Sequence, residues 1–306
     1  MRWPAARYRN GEETLRAFAG ISATARHSIV KFNVDGCTVA LGTVVDTNGL
    51  VLTKASELKR CKLTCWLATE QEAGAVVLAT DEAEDLALVR VEARGLKPVS
   101  WAGRPAAVGQ WVVTPGIAET PHAVGIVSAV PRRIRYQRAL MGVQLDSGTL
   151  QPRIAELMTG LGAEKAGLKP GDVILSVNDG SVTNREQVSE KLRDFHDGQV
   201  VKVRVQRSGS QIEATVKLTA IGAAIGAERF DPFSVSVSQR AEGFERVIEH
   251  DSVLAPWLCG GPLMNLDGEA MGINIARASR VTTFALSAGL VQRALERLRP
   301  GAAGRK

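Results

Sequence analysis

Residues 42–58, GTVVDTNGLVLTKASEL, decide how the rest of the chain is interpreted. Two apolar, β-branched runs flank the dipeptide Asn48-Gly49, which is typical of a tight hairpin turn. The stretch therefore predicts two antiparallel strands joined by a turn. Similar short runs follow one another from about Ser28 to Val130, at intervals of roughly 8–14 residues and without long helical patterns. This spacing indicates a β-barrel or a β-sandwich.

Composition and charge exclude several classes of protein. The chain has 306 residues, of which 45% are hydrophobic and 23% charged, as in a globular protein of about two domains. A net charge of +6 is mild for this length, and only 5% of the residues are aromatic, so we expect no nucleic-acid partner. No stretch approaches the ~18 consecutive apolar residues of a membrane span, and the N-terminal residues lack the apolar centre of a signal peptide.

The four cysteines do not form a disulfide framework in a chain of this length. Cys61 and Cys65 lie four positions apart on one expected strand, which separates their Cα atoms by about 13 Å, too far for a disulfide bond. A C-x3-C pattern without a histidine or a second cysteine pair is a poor zinc signature. We expect Cys37, Cys61 and Cys65 to be small buried side chains, and we expect neither a metal ion nor another cofactor.

The pattern changes at Pro131, where helical and β signals begin to mix. Thr183-x-x-Glu186 predicts a capping box at the start of a helix, and β runs resume after a Gly/Ala-rich stretch. We expect an N-terminal segment (1–23), the first part of a barrel domain (24–131), an inserted α+β domain (132–219), a linker (220–233) and the second part of the barrel domain (234–300).

Three segments resemble the HtrA/Deg family of trypsin-like serine proteases, whose members carry PDZ domains. Residues 42–58 with 81–91 resemble the first barrel, and CGGPLMNLDGEAMGINIA (259–276) resembles the nucleophile loop and the strands after it. GAEKAGLKPGDVILSVNDGSV (162–182) resembles part of a PDZ domain. The resemblance implies a mainly β protein, a trypsin-like double β-barrel with an inserted PDZ-like α+β domain. The PDZ-like segment lies inside the second barrel, whereas in the family it ordinarily follows the protease domain.

Three positions depart from the catalytic pattern that the resemblance implies. Asp85 matches the carboxylate of the triad, but Ser56 stands at the position of the histidine and Cys259 at that of the serine. Trp257 replaces the glycine of the oxyanion loop, and its β-carbon disfavours the backbone conformation that glycine adopts there. Loss of the base costs on the order of 10⁶ in kcat. We therefore expect a pseudo-protease, a degenerate serine protease homologue.

Other hypotheses stay open at this stage. An active endopeptidase with Cys259 as its nucleophile needs another base, and His250 lies on the strand that leads into the nucleophile loop. The structural alternative is that His250 pairs with a neighbour such as Asp251. Asp85 has a structural alternative too, a hydrogen bond to Ser56. A third hypothesis is a purely structural role as a homo-oligomer.

The PDZ-like segment keeps the residues that peptide binding requires. The resemblance implies that its first loop captures a C-terminal carboxylate through main-chain N–H groups, beside a strand to which the peptide adds. The residues assigned to this site are Leu140, Met141, Gly142 and Val143 in the loop, Leu145 on the strand, Val188 and Leu192 on the facing helix, and Arg135 or Arg138 near the carboxylate. We therefore expect protein or peptide C-termini as partners. The resemblance also implies a role in protein quality control in the cell envelope or periplasm.

Overall fold

The computed structural model describes residues 10–58, 62–136, 139–193, 195–220 and 236–299. The chain divides into two compact units, of which the first is formed by residues 1–134 with 235–306 and the second by residues 135–234. The second unit is therefore an insertion in the sequence of the first. The expected linker, 220–233, lies outside the described residues except for Ala220.

The first unit starts with two short helices, α1 (Glu12–Ala17) and α2 (Ala19–Ala25), and continues into a closed antiparallel barrel. The described strands of this barrel are β1 (Ile29–Val34), β2 (Cys37–Val44), β3 (Leu50–Lys54), β4 (Leu63–Leu67), β5 (Glu72–Asp81) and β6 (Leu86–Val91), in the order β1-β2-β3-β6-β5-β4. Their apolar side chains, such as Phe32, Val51 and Val89, fill the interior.

The hairpin predicted at Asn48-Gly49 is confirmed. Strand β2 pairs with β3 in antiparallel register, with Val44 opposite Val51. The carboxylate of Asp46 accepts the main-chain N–H groups of Asn48 and Leu50, each at 2.9 Å. This side chain fixes the turn, so that β3 delivers residues 54–57 to one end of the barrel.

The inserted unit follows β7 (Trp111–Thr114) and β8 (Ala123–Ile134), two strands of the first unit. Its described elements are β9 (Ala139–Leu140), β10 (Val143–Leu145), β11 (Ile154–Leu157), α3 (Gly162–Lys165), β12 (Val173–Val177), β13 (Gly180–Ser181), α4 (Arg185–Lys191), β14 (Val200–Arg207), β15 (Ser210–Lys217) and β16 (Thr219–Ala220). The described strands form a sheet in the order β13-β12-β14-β15 and two pairs, β10-β11 and β16-β9. Ile174, Val203 and Val188 contribute to one apolar core within this unit.

Helix α4 is capped one residue later than the sequence pattern predicts. Its N-cap is Asn184, whose side chain accepts the Gln187 main-chain N–H at 2.9 Å. The side chain of Gln187 in turn accepts the N–H of Thr183 at 2.8 Å. The predicted pair of Thr183 and Glu186 is therefore wrong, because Asn184 caps the helix and the Gln187 side chain bonds the residue before the cap.

The second barrel resumes after the insertion. Its further strands are β17 (Phe244–His250), β18 (Pro262–Met264), β19 (Ala270–Arg277) and β20 (Thr283–Ser287), and the described residues close it in the order β17-β20-β19-β18-β7-β8. Helix α5 (Ala288–Leu298) buries Leu290 and Val291 in an apolar cluster with Leu52 and Leu88 of the first barrel and Phe284 of the second. The loop that contains Cys259 joins β17 to β18 and contacts the first barrel.

The predicted double-barrel, mainly β fold is confirmed. The cysteine predictions are confirmed only in part, because Cys65 is buried but Cys37 is exposed beside the turn at Asp35 and Gly36, and Cys61 lies outside the described residues. Over the described ranges, no helix combines the length and apolar character that crossing a membrane requires.

Candidate functional site

Asp85 and Ser56 form a closed pair at one end of the first barrel. The Asp85 carboxylate is 3% exposed and accepts both the main-chain N–H and the hydroxyl of Ser56, each at 2.8 Å. The structural alternative considered for Asp85 is therefore observed. Burial raises the pKa of Asp85, and nearby Lys54 with the two hydrogen bonds from Ser56 offsets this only in part. The carboxylate that would orient an imidazole is thus occupied by serine.

Lys54 is a member of this cluster that sequence reasoning missed. Its side chain is fully buried, and Nζ donates to the Arg240 carbonyl at 3.0 Å. The same ammonium lies 3.4 Å from Glu57 and 3.9 Å from Asp85. A lysine at the end of a strand with an entirely buried pattern is the signal that could have found it, because a buried charge requires partners.

The backbone before Cys259 is folded into a short 3-10 helix, Pro256–Leu258. The main-chain N–H of Leu258 donates to Ala255, and that of Cys259 donates to Pro256 at 3.1 Å. Trp257, at the centre of this turn, is 48% exposed. In an acyl-transfer site, N–H groups around the nucleophile point toward the substrate oxygen. Here the Cys259 N–H is engaged within its own loop.

The Cys259 thiol is completely buried. Burial raises its pKa to about 11, and this effect outweighs Lys54 and the hydrogen bonds from the Ser238 hydroxyl and the Arg277 main chain, which lower it. At pH 7 a thiol with this pKa is ionised in about one molecule in 10⁴. Because the thiolate is the nucleophilic form, burial leaves Cys259 almost entirely in its non-nucleophilic form at neutral pH.

The residues after Cys259 anchor the loop on the first barrel. The Cys259 carbonyl accepts the Leu41 N–H at 2.9 Å, and the Gly260 carbonyl accepts the Thr43 hydroxyl at 3.0 Å. Gly260 has a φ of +98°, and a β-carbon there would lie 2.0 Å from the Leu41 carbonyl oxygen. Glycine is therefore required at position 260 by packing between the barrels, independently of catalysis.

His250, the candidate base for Cys259, makes no hydrogen bond to the thiol in the part of the chain that the structure describes. The side chain is fully buried, and neither imidazole nitrogen has a hydrogen-bond partner among the described residues. Burial lowers the pKa of His250 to about 4, although the Asn274 side chain and Asp251 raise it in part. The expected hydrogen-bonded pair with Asp251 is not observed, because neither imidazole nitrogen is bonded to it; the Asp251 carboxylate accepts the Ile126 N–H at 2.7 Å.

The first loop of the inserted unit has the form of an anion nest. The carbonyls of Met141 and Gly142 accept the N–H groups of Ala163 and Met158 at 2.8 and 2.9 Å, while the N–H groups of Met141 and Gly142 stay outside the main-chain hydrogen bonds of the described residues. Gly142 has a φ of +85°, and a β-carbon there would lie 2.4 Å from Leu161. The loop therefore requires glycine.

A groove of about 660 Å³ lies between β10 and α4. Among the described strands β10 pairs only with β11, so its other edge is unpaired. Residues that line the groove are Val143 and Leu145 on the strand, and Arg185, Glu186, Ser189, Glu190 and Arg193 on and just after the helix.

The placement of the predicted groove residues is mixed. Val188 and Leu192 belong to the apolar core and do not line the groove, contrary to expectation. Leu140 pairs with Thr219, and Arg138 lies outside the described residues. The helix side of the groove is therefore lined mainly by charged residues, and not by the apolar residues that were predicted.

Comparisons with known proteins identify the inserted unit. Residues 139–218 match the family model for the PDZ domain. No curated protein matches the chain. Among solved structures, the chain is similar to the active form of the Rv3671c protease from M. tuberculosis, with 15% identity, a TM-score of 0.47 and coverage of 97% of this chain and 92% of that one. It is also similar to a serine endoprotease from Yersinia pestis, with 16% identity, a TM-score of 0.33 and coverage of 67% and 98%. The described residues thus combine two closed barrels with a PDZ domain.

Proposed function

We propose that this protein is a proteolytically inactive, HtrA-like pseudo-protease that binds the C-terminal ends of proteins or peptides at its PDZ domain. The contact between Ser56 and Asp85 carries the first half of the proposal. A serine hydroxyl does not accept a proton near neutral pH, and here it also occupies the carboxylate that would orient a histidine. A hydrolytic cycle therefore lacks its general base.

Two further features support the loss of proteolysis. The Cys259 thiol is buried and almost entirely protonated at neutral pH. The Cys259 N–H, which would stabilise an oxyanion, is engaged by Pro256. The Ser56, Cys259 and Trp257 positions therefore each differ from what peptide hydrolysis requires.

The PDZ domain supports the second half of the proposal. An extended peptide can add to the unpaired edge of β10, and its carboxylate can accept the N–H groups of Met141 and Gly142. Val143 and Leu145 give the strand side of the groove an apolar surface, which suits an apolar last residue. A protein of this kind would serve in protein quality control by holding exposed C-termini without cleaving them.

The binding test uses the full chain and a fluorescent peptide with an apolar last residue. We expect a Kd in the micromolar range, about −8 kcal/mol, and much weaker binding of the same peptide with an amidated C-terminus. Gly142→Ala should abolish binding. The matched control is Gly198→Ala, since Gly198 has a φ of +79° with no atom close to an added β-carbon. Equal affinity for acid and amide peptides would contradict the proposed mode.

The cleavage test compares the wild-type protein with Cys259→Ala on unfolded casein. We expect the same background rate for both, because the thiol is buried and lacks a base. Cleavage that disappears in the variant would instead establish the alternative function, an endopeptidase with Cys259 as nucleophile.

A further inference from the structure

Arg277, the last residue of β19, has a buried guanidinium group. The residue is 4% exposed. Its Nε donates to the Ser279 carbonyl at 3.1 Å, one terminal nitrogen donates to the Arg280 carbonyl at 3.1 Å, and the other donates to the Leu254 carbonyl. All three nitrogens are thus used by main-chain oxygens.

The main chain of Arg277 lies beside Cys259. The Arg277 main-chain N–H and the Ser238 hydroxyl are hydrogen-bond partners of the thiol, and the same N–H lies 3.0 Å from the Ser238 oxygen. Leu254 belongs to the loop that leads into Cys259, whereas Ser279 and Arg280 follow β19. The side chain of Arg277 therefore fills the space between the loop that contains Cys259 and the turn from β19 to β20.

The carbonyl oxygens around Arg277 form a built site for a planar cation. Burial of a charge is unfavourable unless polar groups compensate it, and a guanidinium presents five N–H donors in a rigid plane. The oxygens of Leu254, Ser279 and Arg280 match three of these directions. A lysine ammonium presents its donors from a single nitrogen, whereas the three oxygens here are bonded by three different nitrogens of one plane.

We propose that the carbonyl oxygens of Leu254, Ser279 and Arg280 form a guanidinium-binding pocket beside Cys259, and that Arg277 occupies this pocket as an internal ligand. In sites for acyl transfer, the pocket next to the nucleophile receives a substrate side chain. Here the chain supplies that side chain itself. The pocket would take the arginine side chain of a polypeptide if Arg277 were absent.

The test is rescue of Arg277→Ala, in the full chain, by methylguanidinium at millimolar concentration. We expect methylguanidinium to raise the melting temperature of this variant by several degrees, and methylammonium at equal ionic strength to leave it unchanged. The wild-type protein should not respond. Leu263→Ala, which leaves an apolar cavity in the same barrel, should not respond either.

A second measurement follows alkylation of Cys259 by iodoacetamide, located by mass spectrometry. Arg277→Ala should react about tenfold faster than the wild type, because the thiol then needs less local opening to meet the reagent. Methylguanidinium should slow the reaction of the variant and not that of the wild type. If Arg277→Ala does not fold, Arg277→Gln takes its place with the same expectations.

A folded variant that responds to methylguanidinium in neither measurement would overturn the proposal. A variant that responds equally to methylammonium would also overturn it, because the pocket would then select charge and not the planar fork. Neither result would affect the proposed loss of proteolysis or the proposed peptide binding, which are measured separately.

Discussion

The two candidate sites of this protein differ in how their polar groups are used. At the triad positions, Asp85 is bonded to Ser56, the Cys259 N–H to Pro256 and the Lys54 ammonium to the Arg240 carbonyl. In the PDZ domain, the N–H groups of Met141 and Gly142 and one edge of β10 are left out of such bonds among the described residues. The polar groups at the triad positions thus form hydrogen bonds within the protein, whereas the PDZ domain keeps groups that can form hydrogen bonds with a ligand.

Under the proposed function, this difference shows how buried polar groups are satisfied at positions that do not serve catalysis. A buried polar group needs a partner whether or not a substrate is bound, because leaving it unsatisfied costs about 1–3 kcal/mol. Once the histidine position holds serine, the Asp85 carboxylate takes its hydrogen bonds from that serine and lies near Lys54. The triad positions then contribute to the stability of the fold.

The largest expected effect is loss of stability in Lys54→Met. Removal of one partner from a buried ion pair costs about 3–5 kcal/mol, and this substitution leaves Asp85 and Glu57 without their cation. The free energy of unfolding is followed in urea by tryptophan fluorescence, which reports on the first unit because residues 135–234 contain no tryptophan.

Arg133→Met is the matched control for that measurement. Arg133 lies 3.6 Å from Glu245, but both side chains are largely exposed, at 66% and 70%. Exposed pairs contribute at most about 1 kcal/mol. Equal losses of unfolding free energy in the two variants would contradict the view that the buried polar groups at the triad positions stabilise one another. Asp85→Asn added to Lys54→Met should recover part of the loss.

A second prediction tests whether the Trp257 position limits hydrolysis in addition to the changed triad side chains. Ser56→His with Cys259→Ser rebuilds the side chains of a triad, but the Cys259 N–H stays in the turn at Pro256–Leu258. Loss of one oxyanion donor costs ~10²–10³ in kcat. Addition of Trp257→Gly should therefore raise the hydrolysis of a fluorogenic peptide by about this factor over the double variant.

Leu258→Gly in the same double variant is the control for loop flexibility alone. Circular dichroism checks that each protein is folded. If the double variant is as active as the one with Trp257→Gly, the reading of Trp257 as an oxyanion defect is wrong, and the Ser56 position accounts for the loss.

A third prediction concerns pH, through His250. Its folded pKa of about 4 lies below the ordinary 6.5, so between these values the unfolded chain binds a proton that the folded chain does not. Stability should therefore fall as the pH is lowered from 6.5 to 4, by about 3 kcal/mol from this residue.

His250→Leu should remove this part of the pH dependence in urea unfolding. Carboxyl groups titrate in the same range in both proteins, so the difference between the two curves isolates His250. A wild-type slope in His250→Leu would mean that His250 is protonated in the folded protein.

Much of the fold follows from local patterns in the sequence. Turn residues at Asn48-Gly49 and the β-branched runs around them predict the first barrel, and the PDZ-like motif predicts the inserted unit. The hydrogen bond from Ser56 to Asp85 could also be predicted, because both residues lie in motifs that can be located in the sequence.

Other features depend on contacts between distant segments. The apolar, β-branched run of β3 predicts that Lys54 ends a strand, but its burial depends on Arg240 and Asp85, which are far away in sequence. The same holds for Arg277 and Leu254. In α4, Val188 and Leu192 mark the buried face by their spacing, and a face that fills the core does not also line the groove.

The smallest expected effect concerns peptide affinity at the groove of the PDZ domain. Val143 lines it from β10, so Val143→Ala should weaken binding of a peptide with an apolar last residue about fivefold. Truncation of valine removes two methyl groups that the peptide covers only in part, about 1 kcal/mol of contact.

Val200→Ala, at a residue of β14 that is 53% exposed and does not line the groove, should leave the affinity unchanged. Fluorescence anisotropy with the acid peptide measures both. Equal affinities for Val143→Ala and the wild type would mean that the peptide does not lie along β10. The groove would then not differ from the triad positions in its capacity to bind a ligand.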